Sequence, residues 1–159
     1  MEGFVKKFSL LFLVFILTLF NFVFCADTVL EKAKKHITEV EPTMASMLIN
    51  TDKKIFILDV RSKSDYDKGH IKGAVLIPSN QVLGNIRENK VYEQINTGKV
   101  PDKKQAIIIY SSDGDDGLLA GYLLREKDYN FIFNIRGGFE NWKKENLNYE
   151  KSKSIFGLF

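Results

Sequence analysis

The sequence predicts an α/β protein built on an open, mainly parallel sheet with helices on both faces. Three observations carry that expectation. Ile55–Val60 (IFILDV) and Ala106–Tyr110 (AIIIY) are apolar runs of the length expected for strands buried on both sides. Phe131–Ile135 reads as a further strand, and stretches with helical spacing fall between these runs. Strands alternating with helices bury their faces by forming parallel crossovers. No internal repeat and no Pro/Ser-rich linker interrupts the pattern.

In chain order, a charged stretch from Glu31 to Lys35 precedes Thr43–Asn50, where Met44, Met47 and Leu48 recur at helical spacing. The strand Ile55–Val60 is followed by one helical turn, Ser64–Lys68, with a serine cap and a stop at Gly69. Ala74–Ile77 is a short strand ended by Pro78. Gln81–Asn96 carries a weak helical period, interrupted by Gly84 and closed by Gly98. After the strand Ala106–Tyr110 comes a polar loop, Ser111–Gly117, and then a helix over Leu118–Lys127. The strand Phe131–Ile135 leads through Gly137-Gly138 into a short helix reaching Trp142. Ligands of such folds sit beyond the carboxyl ends of the strands, which points to the loop after Tyr110.

The first 25 residues differ from the rest. Lys6 and Lys7 precede a stretch from Phe8 to Phe24 in which only Ser9, Thr18 and Asn21 are polar. A basic start and a short apolar core describe a secretory signal peptide over residues 1–25. Cys25 also resembles the lipid-modified first residue of a bacterial lipoprotein, although Phe24 is bulky where that pattern wants a small residue. A retained anchor is the third reading. All three make the protein exported, with membrane contact only through residues 1–25 or a lipid on Cys25. Residues 26–36 form a lead-in, 37–147 the domain and 148–159 a tail with the apolar end Ile155–Phe159.

Composition narrows the function classes. The chain has 159 residues, 45% of them hydrophobic, and a net charge of +3 from 23 basic and 20 acidic residues. That charge is too weak and too mixed to suggest nucleic-acid binding. One cysteine excludes an intrachain disulfide framework and a thiolate metal cluster.

Three separated motifs resemble one family. Asp59-Val-Arg61 with Tyr66, then Gly69-His70-Ile-Lys-Gly73-Ala74 and Ile77-Pro78, looks like the first signature of the rhodanese-like domain. The strand Ile107–Tyr110 with its following loop and helix occupies the active-loop position, and Asn134-Ile-Arg-Gly137-Gly138 with Trp142 resembles the closing signature. The resemblance implies a three-layer domain with a five-stranded parallel sheet and helices on both faces. Its usual chemistry is sulfur transfer, in which an active-loop cysteine accepts sulfane sulfur as a persulfide and passes it to a thiol. In that family the cysteine directly follows the strand and an arginine or similar residue closes the loop. Here Ser111 and Asp116 stand in those two positions.

Sulfur transfer needs a thiolate, and a cysteine near pKa 8.5 is readily tuned to ionise. A serine hydroxyl is a far weaker acid and holds no transferable sulfane sulfur. Anions favour N–H groups and cations, whereas Ser111, Ser112, Asp113, Gly114, Asp115 and Asp116 place three carboxylates in the loop. The expectation is therefore a catalytically inactive binding or interaction module, with no cofactor and no metal, recognising a protein partner or small ligand. The alternative is a sulfurtransferase-related or metal-assisted enzyme using the loop Ser111–Asp116, although a calcium-loop spacing counted from Asp113 puts Gly117 and Leu124 at ligand positions. Serine catalysis would need a base; His70 lies in a motif where the resemblance implies a structural role, bonding backbone near the following strand, and His36 precedes the domain. Asp59 and Arg61 are expected to pair and hold loops, Trp142 to plug the core, and Gly137-Gly138 to form a tight turn.

Overall fold

The structure is a computed structural model that describes residues 29–52, 54–79 and 101–152. The elements are helix α1 (residues 29–36), strand β1 (Thr38–Val40), α2 (Pro42–Thr51), β2 (Phe56–Asp59), α3 (Lys63–Lys68), β3 (Val75–Leu76), β4 (Ile107–Tyr110), α4 (Asp115–Arg125), β5 (Ile132–Ile135) and α5 (Gly138–Lys144). The five strands form one sheet in the order β1-β5-β4-β2-β3, and every pairing is parallel.

Alternation of side chains along the strands builds two cores. Phe56 and Leu58 of β2 and Ile107 and Ile109 of β4 pack on one face with Ala33 of α1 and Leu118, Ala120 and Leu124 of α4. Ile57, Ile108 and Tyr110 pack on the other with Ala45 of α2 and Phe139 and Trp142 of α5. The period of two therefore sorts one apolar run into two separate helix layers, giving the three-layer architecture. Trp142 is the plug expected of it, buried with its indole N–H donating to the Asn148 carbonyl at 3.1 Å.

Several boundaries differ from the sequence expectation. The strands start one residue later than Ile55, Ala74, Ala106 and Phe131, and β2 and β3 also stop one residue sooner. The serine that caps α3 is Ser62 rather than Ser64: its Oγ accepts from the Asp65 N–H at 3.1 Å. Helix α4 begins at Asp115, three residues before Leu118, because Gly114 takes φ +109° as the N-cap and two aspartates in the first turn suit the helix dipole. Helix α1 and the edge strand β1 had no sequence signal. Three residues (TEV) are too few to show a period, and α1 joins the core mainly through Ala33, with Leu30 packed beside it. The expected helix Gln81–Asn96, the leader with Cys25 and the end Ile155–Phe159 lie outside the described residues. Among the described residues no helix is long and apolar enough to cross a membrane.

Candidate active loop and its neighbours

The loops that follow β2, β4 and β5 leave the sheet at its carboxyl edge. After β2, the fully buried Asp59 carboxylate meets Arg61, which is 7% exposed. Oδ1 accepts from the Arg61 backbone N–H at 2.9 Å, and both carboxylate oxygens accept from the guanidinium, the shortest contact being 2.6 Å from Nη2. Nη2 also donates to the Gly69 carbonyl at 2.7 Å. Burial opposes the Arg61 charge, but the bond and attraction of Asp59 override it and hold the guanidinium protonated above its ordinary range. The pairing expected from the sequence is thus present, and it ties the exit of β2 to the end of α3.

Gly69 and His70 secure the same corner. A Cβ on Gly69 would sit 2.9 Å from the Tyr149 ring, so its absence lets the C-terminal segment close over α3. His70 stacks on Tyr66 at 3.7 Å, and its Nδ1 lies 2.8 Å from the Tyr66 carbonyl. The imidazole therefore bonds the last turn of α3 rather than backbone near the following strand, while its backbone pairs with Glu150. Gly73 (φ +82°) makes the turn into β3.

The loop after β4 is closed on itself. Ser111 is 2% exposed, and its Oγ accepts from the Gly114 N–H at 2.9 Å. Asp113 Oδ1 accepts from the Asp115 N–H at 3.2 Å, and Ser79 Oγ reaches Asp116 Oδ2 at 3.5 Å. The first two backbone oxygens of the loop face α5, where the Phe139 N–H donates to the Ser111 carbonyl at 2.8 Å and the Glu140 N–H to the Ser112 carbonyl at 3.0 Å. This accounts for the double glycine. Gly138 has φ +57°, and a Cβ there would lie 2.4 Å from the Ser111 oxygen. The third motif thus holds the second one in shape.

Asn134 opens the closing signature and Gly117 ends the loop, but neither had a role of its own in the sequence. The buried Asn134 of β5 donates from Nδ2 to the Gly114 carbonyl at 3.1 Å, and a Cβ on Gly117 would fall 2.2 Å from its Oδ1. A polar residue inside the run IFNI was the signal available. Tyr110 completes the set: its hydroxyl accepts from the Ile71 N–H at 3.1 Å, and burial, aided by the Asp59 charge, pushes its ionisation far above the ordinary tyrosine range.

The predicted site residues thus fall into two groups. Ser111–Asp116 with Gly137 and Gly138 form one unit, and Asp59, Arg61, Gly69 and His70 another. Phe139 joins them, with the Arg61 Cζ 4.0 Å from its ring centroid. Gly73 and Trp142 support the frame. The metal-assisted alternative finds no ligand set, since among the described residues no three His, Cys, Asp or Glu side chains are grouped to hold an ion. No hydrogen bond joins Ser111 Oγ to a histidine among the described residues.

Comparison with known proteins agrees with this geometry. The rhodanese-like domain family matches residues 41–145. A curated relative, the uncharacterized protein YqhL of Bacillus subtilis, is 29% identical over 90 residues, and the match covers 57% of this chain and 62% of that protein. Among solved structures, the rhodanese-like domain of the Anabaena protein Alr3790 is 22% identical with a TM-score of 0.58, covering 76% of this chain and 86% of that one. The thiosulfate sulfurtransferase of Pseudomonas aeruginosa is 18% identical with a TM-score of 0.59, over 77% of this chain and 22% of that one. The structural likenesses establish the fold, and the match over residues 41–145 establishes the family: the chain belongs to the rhodanese-like domain family.

Proposed function

We propose that this protein is an exported rhodanese-like module that binds a partner or small ligand and does not transfer sulfur. One observation carries the reading. Residues 41–145 contain no cysteine, and the position directly after β4 holds Ser111, whose Oγ accepts from the Gly114 N–H. That amide is the kind of donor that would stabilise a thiolate, so the cradle survives while the atom in it is oxygen. Oxygen at this position forms no persulfide, and the only cysteine, Cys25, precedes the family match. Lys6 and Lys7 before the apolar stretch Phe8–Phe24 support export.

The test is a thiosulfate:cyanide assay of the purified protein beside its Ser111→Ala variant. The expected result is the uncatalysed rate for both. Turnover that disappears in Ser111→Ala overturns the reading. Mass spectrometry of the mature N-terminus checks export, the expected result being a chain that starts at or just after Cys25.

A further inference from the structure

Three methionines and one cysteine hold all the sulfur of the chain, and beyond residue 25 only Met44 and Met47 remain. Both stand on α2, three residues apart, so they share one face of the helix. That face turns outward: Met44 is 47% exposed and Met47 54%. Methionine is ordinarily a buried side chain that fills gaps in a core, and these two fill none. Pro42 and Ala45, both buried, anchor α2 instead, together with Leu48 and Ile49, which pack against the core of Ile57, Ile108 and Trp142.

The helix is also uncharged. No residue of Pro42–Thr51 ionises, and the nearest charges along the chain are Glu41 and Asp52 at its two caps. The open cleft between α3, α5 and the C-terminal segment is different in kind: it borders the active loop through Ser112 and is rimmed by Lys68, Lys143 and Lys151, and neither methionine lines it. The other side chain sensitive to oxidants, Trp142, is buried at 2% exposure. Sulfur that oxidants can reach is therefore gathered on one neutral, solvent-facing surface of the domain.

We propose that Met44 and Met47 form an oxidation site, at which a small neutral hydroperoxide is consumed while the domain keeps its fold. The thioether lone pair attacks one peroxide oxygen, and the sulfur–oxygen bond forms as the oxygen–oxygen bond breaks. Sulfur gives up two electrons, and the proton on the transferred oxygen passes to the departing hydroxide, so hydrogen peroxide leaves as water. A sulfoxide in a core disrupts packing, whereas here it stands in water. Methionine sulfoxide reductases return each epimer to the thioether at the expense of a dithiol, which makes the site reusable. The proposal goes beyond the binding-module reading and is independent of it, since it involves neither Ser111 nor the leader.

The test treats the purified protein with hydrogen peroxide and maps oxygen uptake peptide by peptide by mass. Met44 and Met47 are each expected to gain one oxygen, within about fivefold of the rate of free methionine in the same tube and ahead of Trp142. Added salt should leave the rate unchanged, because the oxidant and the face of α2 are both uncharged. The thermal midpoint should fall by no more than about 2 °C, the size of an ordinary surface substitution. Backbone amide signals of the active loop and of the cleft should stay in place. The two epimer-specific reductases with dithiothreitol should then remove both oxygens. Met44→Leu and Met47→Leu should each lose one of the two oxygens, and the double variant should take up none over residues 41–145 at the same dose. The proposal is overturned by slower uptake at either methionine, by earlier oxidation of Trp142, by a larger fall in the midpoint, or by oxygens that the reductases leave in place.

Discussion

The active loop and the cleft beside it lie at the same end of the sheet and differ in almost every physical respect. The loop is closed, with Ser111 buried, its carbonyls bonded to α5 and three aspartates at its outer end. The cleft is open, apolar on one wall and rimmed by lysines. They share a border, since Ser112 of the loop lines the cleft together with the stacked Arg61 and Phe139. The contrast teaches that the loop takes its closed shape with a serine after β4 and no thiol in it. Backbone bonds from Gly114, Phe139 and Glu140 set the shape of the loop, and none of them depends on a thiol.

The sharpest way to break the comparison is to remove what both regions share. Arg61→Leu leaves Asp59 buried and unpaired, which costs about 3–5 kcal/mol. A large fall in the thermal midpoint is the expected outcome, with loop and cleft signals lost together. Gly138→Ala acts on the loop side, forcing a Cβ against the Ser111 oxygen at a left-handed φ. It should cost about 2–4 kcal/mol, measured by denaturant unfolding.

Ser111→Cys tests chemistry rather than stability. It restores the nucleophile under the Gly114 amide but leaves Asp113, Asp115 and Asp116 near the approaching anion. Its thiosulfate turnover should stay at least about tenfold, or about 1.4 kcal/mol of barrier, below a cysteine-bearing relative assayed alongside. Equal rates would show that the acidic residues do not matter. Ser111→Ala removes one acceptor from a buried N–H and should cost only about 1 kcal/mol, read from chemical denaturation.

The smallest effect is a pH dependence confined to the cleft side. The Ser62 hydroxyl, then Lys68, hold Asp65 below its ordinary value of 3.8, and Lys63, with Ser152, does the same for Asp67. A carboxylate depressed in the folded state contributes stability that is complete above the unfolded value and lost as pH falls through the folded one. Both groups are exposed, so the change is modest. Hydrogen exchange, corrected for intrinsic rates, should show α3 losing protection below about pH 4 while α4 keeps it.

Much of the frame was readable in the sequence because burial on both faces leaves long apolar runs, and β2, β4 and β5 fall within the runs that announced them. Asp59, Arg61, Gly137 and Gly138 were legible for a related reason. An ion pair in a buried run and a double glycine at a strand end each have few physical explanations. What escaped notice was long-range or too short for a period. Edge strand β1 takes its identity from pairing with β5, since three residues carry no pattern. Asn134 acquires meaning only when the fold sets it against Gly117 and the Gly114 carbonyl. The cleft is the extreme case, because Lys68, Lys143 and Lys151 come from three segments and read as ordinary solvated charges until α3, α5 and the C-terminal segment meet.

The central claim, that the loop carries no sulfur, has a direct measurement. The purified protein is incubated with excess thiosulfate, and its peptides are mapped by mass under non-reducing conditions. The peptide containing Ser111 is predicted to keep its mass, with no added sulfur anywhere in residues 41–145. A sulfur atom retained on that peptide would contradict the account.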